Sequence, residues 1–136
     1  MLVLSRFADE SVRVGDDIIV KVEGILREQF DCKVLLRTEA PPAIQEIIKK
    51  SLLERIKGKL FIDPKTEAPI FSMQIDEKLQ IGDVVMIIID IRDGMRARLG
   101  FEASEEIPIH RQEVYDDMKK RGQVKSLGSH HSSPTS

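Results

Sequence analysis

Two stretches of the chain carry the same pattern: residues 10–22 read ESVRVGDDIIVKV and residues 77–89 read EKLQIGDVVMIII. They align without a gap at an offset of 67 residues, which pairs Gly15-Asp16 with Gly82-Asp83. Apolar alternation on both sides of a Gly-Asp turn is typical of antiparallel strands joined by a tight hairpin. The sequence therefore predicts that one small β-unit occurs twice.

The flanking segments extend this duplication. Upstream, VLSRF at 3–7 matches IFSMQ at 70–74 at the same offset. Downstream, LLRTEAPPAI at 35–44 matches LGFEASEEI at 99–107 at an offset near 63, so the central hairpin of the first copy is predicted to be about four residues longer. Each copy is expected to form an antiparallel meander.

A helix and a linker are predicted between the copies. The stretch PPAIQEIIKKSLLERIKG at 41–58 places Ile44, Ile47, Ile48 and Leu52 at helical spacing, and it ends on Lys57 and Gly58. The favoured interpretation is that this apolar stripe packs on a sheet, and the alternative is a basic helix that contacts RNA. Residues 59–67, KLFIDPKTE, are predicted to be a short extended linker with a proline turn.

Composition limits the classes of function. Of 136 residues, 41% are apolar and 32% charged, which is typical of a soluble globular protein. The chain has no Trp and one Tyr, so aromatic platforms for stacking bases are scarce. The formal net charge is -2, so any contact with nucleic acid must come from a local patch.

The cysteine count and the apolar segments of the sequence predict the cellular compartment and the need for cofactors. The single Cys32 excludes an intrachain disulfide and a cysteine metal cage, which fits a reducing cytoplasm. MLVLSR at the start is no signal peptide, and the apolar run VVMIII at 84–89 is too short to span a bilayer. We expect a cytoplasmic protein that needs no cofactor and no membrane. The Ser-rich tail at 125–136 is predicted to be disordered, and its His130 and His131 are not expected to bind metal.

The stretch EIPIHRQEVY at 106–115 is the main candidate for function. Ile107 and Ile109 alternate as on a half-buried strand, and His110 and Arg111 follow where the pattern changes to a helix predicted at 113–121. From the residues alone, a solvated strand end that eases entry into the helix is the simpler interpretation.

The sequence resembles the carbon storage regulator (CsrA) family of bacterial translational regulators. The similarity rests on MLVLSR at 1–6, VGDDIIVKVEGI at 14–25, and RARLGFEASEEIPIHRQEVYDDMKK at 96–120. Members of this family form an interlaced dimer of two small β-units. The resemblance implies a mainly β fold in which two CsrA-like units, 1–42 and 68–124, form an intramolecular pseudo-dimer. It carries an inserted amphipathic helix with its linker at 43–67 and a C-terminal helix.

In that family, the first strand of one subunit lies against the last strand of the other and forms a site for GGA motifs in RNA hairpin loops. The resemblance implies the same site here between the two ends of the chain. The implied RNA-binding residues are Leu4, Ser5, Arg6, Ile107, His110 and Arg111, with Arg98 adding positive potential. Arg111 would bond a guanine edge or a phosphate, and His110 would stack on or hydrogen-bond to a splayed base. Leu4 and Ile107 would form an apolar floor, and Arg6 would contact a phosphate or base.

Departures from the family pattern limit this expectation. Phe7 and Ser104-Glu105 replace residues that are usually basic or proline-basic, which predicts weaker affinity. At the second potential site, Met73 stands in the position of Arg6, and PPAIQEII at 41–48 offers neither His nor Arg. That site is expected to be inactive.

The predicted function is therefore a sequence-specific, post-transcriptional RNA-binding regulator with one competent site and no catalytic activity. Its implied partners are messenger RNA, small regulatory RNAs and a flagellar assembly protein that acts as an antagonist. The alternative is an RNA-silent protein-interaction module or an antagonist of other family members. One chain holds both halves of the dimer, so we expect a monomer, with a swapped dimer as the alternative.

Overall fold

The computed structural model describes residues 1–28, 31–55 and 60–122, and within them ten strands and two helices. The strands are β1 (Leu2–Phe7), β2 (Ser11–Val14), β3 (Ile18–Glu28), β4 (Asp31–Glu39), β5 (Leu60–Ile62), β6 (Pro69–Gln74), β7 (Lys78–Ile81), β8 (Val84–Arg92), β9 (Arg96–Glu102) and β10 (Ile109–Arg111). The helices are α1 (Pro42–Arg55) and α2 (Gln112–Lys120). The predicted tail with His130 and His131, and the predicted helix end at Lys57 and Gly58, lie outside the described residues.

The strands form two antiparallel sheets that each draw on both copies. The four-stranded sheet has the order β1-β9-β8-β7, and the six-stranded sheet has the order β10-β2-β3-β4-β6-β5. The first strand of the first copy thus joins the meander of the second copy, and the first and last strands of the second copy join the meander of the first. The interlaced pseudo-dimer is confirmed. The exact division into units at 1–42, 43–67 and 68–124 stays a prediction.

The two sheets enclose one apolar core. Inward positions of β2, β4 and β7, such as Val12, Leu36 and Leu79, are fully buried, whereas their neighbours along each strand are partly exposed. Burying such side chains contributes about 1.5–3 kcal/mol each. Equivalent positions at the predicted offsets, such as Leu36 and Leu99, are both buried, which agrees with a duplicated unit.

The repeat alignment needs one correction. The turn between β2 and β3 is Gly15-Asp16-Asp17, whereas Gly82-Asp83 alone joins β7 to β8. The buried residues Ile18, Val20 and Val22 therefore correspond to Val84, Met86 and Ile88, at an offset of 66 rather than 67. The gapless alignment is wrong beyond the turn, because a slip of one residue would have moved every side chain to the other face of the strand.

Helix α1 packs against β7 at the edge of the four-stranded sheet. Ile48 and Leu52 are buried, but Ile47, which was predicted to lie on the same stripe, is 47% exposed. The prediction was wrong for Ile47, because the face of α1 that packs against the single strand β7 includes Ile48 and Leu52 but not Ile47.

The predicted linker contains a strand. β5 pairs with β6 along Leu60–Ile62 and forms the outermost strand of the six-stranded sheet. Arg37 holds the segment after β5, with its Nη2 2.8 Å from Asp63 Oδ2 and its Nη1 3.1 Å from Thr66 Oγ1. Within the described ranges, neither helix is long and apolar enough to cross a membrane.

Candidate nucleic-acid interface

The two ends of the described chain meet at one side of the fold. β1 is an edge strand of the four-stranded sheet, and β10 is an edge strand of the six-stranded sheet. Between them lies a recess of about 280 Å³, lined by Leu2 from β1, by Phe101, Glu102 and Ser104, by Ile107 of the loop before β10, and by Ile109 at the start of β10. The two strands belong to different sheets, so they meet through this recess rather than through a shared hydrogen-bond ladder.

β10 is held in place by β2 and by the first Gly-Asp turn. Ile109 pairs with Val14 and Arg111 with Val12, and the Gly15 amide donates to the Pro108 carbonyl over 2.8 Å. Pro108 immediately precedes this edge strand, where a missing amide hydrogen is tolerated. The other side of the β10 backbone pairs with no strand among the described residues.

Arg111 and His110 lie on this strand in different environments. Arg111 is exposed, and within the described residues its side chain makes no hydrogen bond or ion pair. His110 is half-buried and lies across from Arg13 on β2. A guanidinium with no internal hydrogen bond keeps its full donor fork for a ligand.

Arg6 is occupied inside the protein. Its side chain is 4% exposed, and its Nη1 and Nη2 donate to Glu113 Oε1 and Oε2 over 2.8 and 2.9 Å. Its Nη1 and Nε also donate to the carbonyl oxygens of Ser11 and Ser5. Contact between this guanidinium and RNA would require these bonds to break. As it stands, Arg6 ties β1 to the first turn of α2.

The contact with Arg6 strongly lowers the pKa of Glu113. The paired hydrogen bonds from Arg6 lower the pKa of Glu113 from 4.5 to about 2, and the nearby charge of Arg111 acts in the same direction. Glu113 is therefore ionised at neutral pH. The bidentate pair holds the start of α2, and with it Arg111, at a fixed position relative to β1.

The remaining predicted residues on β1 and β9 are Leu4, Ser5 and Arg98. Leu4 is 8% exposed and belongs to the core, whereas Ser5 is half-exposed on the outer face, paired with Arg98 of β9. Arg98 donates to both oxygens of Asp90 over 2.8 and 2.6 Å. Asp90 balances its charge, so the positive potential that Arg98 adds to the interface is small.

Helix α2 is fixed by a second set of contacts. The Arg13 guanidinium stacks over the ring of Tyr115 at 4.3 Å, and Arg13 Nε donates to Gln112 Oε1 over 3.2 Å. The Tyr115 hydroxyl donates to Asp16 Oδ1 over 3.2 Å. These contacts anchor α2 directly after Arg111.

Sequence reasoning missed Glu113 and Leu2. A signal for Glu113 existed, because the alternation of Leu2, Leu4 and Arg6 puts the arginine on the inward face of its strand. A buried arginine needs a carboxylate. Glu113 in the first turn of α2 forms the bidentate pair, and Glu10 Oε1 lies 3.7 Å from Arg6 Nε.

The equivalent surface at the other end of the sandwich is built differently. Met73 takes the position of Arg6 and is fully buried. The outer side of β6 is paired with β5, and α1 lies beside β7, where a last strand of the first copy would pair. Elsewhere in the described residues, no group of His, Cys, Asp and Glu side chains is arranged to hold a metal ion.

Comparisons with known proteins agree with this architecture. The model of the CsrA family, described as a global regulator protein family, matches residues 70–120. The chain is 36% identical over 56 residues to the translational regulator CsrA of Rhodopirellula baltica, which covers 40% of this chain and 79% of that protein. It is 35% identical over 46 residues to the translational regulator CsrA of Bacillus velezensis, which covers 34% of this chain and 62% of that protein. No solved structure matches the chain significantly.

Proposed function

The chain belongs to the CsrA family, and from this premise we propose that it is a sequence-specific RNA-binding regulator that acts after transcription. Its curated relatives are translational regulators, and the family is one of regulators rather than enzymes. We propose that this chain binds messenger RNA at GGA motifs in leader hairpin loops. It would control translation or mRNA stability by steric occlusion, without catalysis.

The observation that carries this proposal is the exposed guanidinium of Arg111, which has no hydrogen bond or ion pair among the described residues, on the strand whose Ile109 lines the recess. Arginine is the residue that most often reads guanine, because its donor fork matches two acceptors on the guanine edge. The recess offers the apolar side chains of Leu2, Phe101 and Ile109, next to Glu102 and Ser104, to an unstacked base of a single-stranded loop. The combination fits a guanine-rich loop better than a regular duplex.

The proposed roles differ from residue to residue. Arg111 contacts a guanine or phosphate, His110 stacks on or bonds to a base, and Ser5 offers its hydroxyl from β1. Leu4 and Ile107 support the apolar wall. Arg6 acts as a positioning residue through Glu113, and Arg98 contributes only background potential because Asp90 neutralises it.

We propose one RNA site per chain. The opposite surface has Met73 where the first site has Arg6, and the edge of β6 is already paired with β5. Small regulatory RNAs that carry the same motif, and a flagellar assembly protein that competes with RNA, are the further partners in this proposal.

The test compares two RNA hairpins at one fixed salt concentration, one with GGA in its loop and one with that motif scrambled. We expect the wild type to prefer GGA with one RNA bound per chain. We expect Arg111→Ala to lose about 1–3 kcal/mol of that preference, because it removes a bidentate base contact. Titration calorimetry gives both the stoichiometry and the affinities.

Lys50→Ala is the matched control. Lys50 is exposed on α1, at the sheet edge opposite β1, and its removal changes the net charge by the same amount. This variant should weaken both hairpins slightly and equally. If the wild type binds the GGA hairpin and the scrambled hairpin with equal affinity, the proposal is wrong.

A second candidate function is an RNA-silent interaction module. The observation in its favour is that two arginines of the implied site, Arg6 and Arg98, are held by Glu113 and Asp90 in the folded protein. If the wild type ignores GGA, this alternative takes precedence, and binding to an ordinary family member is the next measurement.

A further inference from the structure

A second, larger cavity lies where the two Gly-Asp turns face each other. It has a volume of about 460 Å³ and is bordered by both turns, by the start of α1, and by the loop before β10. Its apolar walls include Ile44 and Ile47 of α1 and Ile107 of the loop. Ile47 is 47% exposed, although its neighbour Ile48 is fully buried. The inserted helix thus turns an apolar side chain toward this cavity.

The rim of the cavity is acidic. Asp16, Asp17, Asp83 and Glu106 border it, and no Lys, Arg or His is among the described residues that line it. The Asp16 carboxylate accepts a hydrogen bond from Tyr115. Asp17, Asp83 and Glu106 are in no ion pair with another residue of the described ranges. The fold therefore gathers negative charges around an apolar floor. Arg13, whose Nη1 donates to the Asp16 carbonyl oxygen over 2.7 Å, is a cation next to the rim, but it does not line the cavity.

We propose that this cavity is a binding site for a small organic cation with an apolar body, such as an alkyl or cycloalkyl ammonium. The body would contact Ile44, Ile47 and Ile107, and the cationic head would lie between the rim carboxylates. The volume lies within the range of about 300–1,000 Å³ that is common for small-molecule sites. Anions, including RNA phosphates, are repelled by the same rim. Ile107 borders both recesses, but this inference does not depend on the proposed RNA site.

Cyclohexylmethylammonium is the probe, with cyclohexylmethanol and cyclohexylacetate as the neutral and anionic forms of matched shape. Each is titrated into the full chain while the backbone amide signals of Gly15 and Gly82 are followed by NMR, since both turns border the cavity. We expect saturable shifts with the ammonium and affinity at least about fivefold weaker for the alcohol. No shift is expected with the carboxylate. Raising the salt concentration should weaken the ammonium alone.

Two substitutions on one helix separate this site from non-specific binding. Ile47→Lys fills the cavity and places a competing cation in it, so the ammonium affinity should fall about tenfold or more. Leu53→Lys adds the same charge at a position that is 76% exposed and outside the cavity, and it should retain the wild-type affinity. Both positions are exposed, so the fold should persist, and the NMR spectrum itself reports this.

A third variant tests the role of the rim. Asp17→Asn combined with Asp83→Asn should reduce the preference for ammonium over alcohol several-fold while leaving alcohol binding unchanged. Three results would overturn the proposal: equal shifts with the carboxylate, no shift at either glycine, or an unchanged affinity in Ile47→Lys.

Discussion

At the scale of single residues, the ion pair between Arg6 and Glu113 makes the free energy of unfolding depend on pH. The folded pKa of Glu113 is about 2, below its ordinary 4.5, so its contribution is present above pH 4.5 and is lost as the pH falls toward 2. Because the carboxylate is 59% exposed, we expect a contribution of about 1–2 kcal/mol after discounting for solvent screening. Urea unfolding of the wild type and Glu113→Gln between pH 7 and about pH 2 measures it.

In that comparison, Glu113→Gln should be less stable at pH 7 and should converge on the wild type at low pH. Glu106→Gln is the control, because Glu106 is exposed and forms no ion pair with another described residue. Its curve should parallel that of the wild type. Parallel curves for wild type and Glu113→Gln would contradict the assigned role of the pair.

Gly100 is a second residue whose identity affects stability, because neighbouring side chains crowd its Cα. A Cβ at this position would lie 2.9 Å from both Ile87 Cγ2 and Ile89 Cδ1, and 2.6 Å from Met1 Sδ. We expect Gly100→Ala to destabilise the protein by about 1–3 kcal/mol, as overpacking usually does. In Gly24→Ala the new Cβ would meet nothing within 4 Å, so this control should be neutral or slightly stabilising. Urea midpoints of the two variants decide the question.

At the scale of elements, β5 depends on Arg37 for its attachment. Arg37 and Glu23 project from the six-stranded sheet, and Asp63 follows β5; the three form one cluster with N–O distances of 2.8 and 3.0 Å. Asp63→Asn removes the charge from this cluster. We expect the amides of β5 to exchange with solvent several-fold faster, because a three-residue edge strand has few other bonds.

The exchange experiment has a matched control on α1. Glu46→Gln removes an exposed pair with Lys49 at 3.7 Å and should leave β5 unchanged. Unaltered protection of β5 in Asp63→Asn would mean that Arg37 does not hold the segment.

Elements with strong local patterns were predicted correctly from the sequence. The strand SVRV at 11–14 and the hairpin at Gly82-Asp83 follow directly from alternation and turn chemistry. The strand β5 and the exposure of Ile47 could not be predicted. Both depend on the sheet edge that the segment packs against, and that edge is formed by residues distant in the sequence. The alternation of β1 does indicate that Arg6 points inward, but its bidentate partner was missed because Glu113 is 107 positions away in the sequence.

At the scale of the whole molecule, the interlaced sheets predict a monomer. Each sheet takes strands from both copies of one chain, so no second chain is needed to complete it. The midpoint of thermal unfolding should not change when the protein concentration is raised a hundredfold. A dimer that unfolds to separate chains would gain about 2.7 kcal/mol over that range. A rising midpoint, together with a doubled mass in sedimentation, would indicate exchange of halves between chains.

The same architecture has a consequence for how such a protein changes over generations. In a symmetric dimer of identical chains, every substitution changes the same position in both halves. A substitution is then accepted only if the structure around it tolerates it in both halves. Here the position occupied by Gly100 in one sheet, where a Cβ would crowd Ile87 and Ile89, is Arg37 in the other, where it holds a strand that the first sheet lacks. With two copies in one chain, each half can carry a residue that its twin could not accept, and the two surfaces can differ.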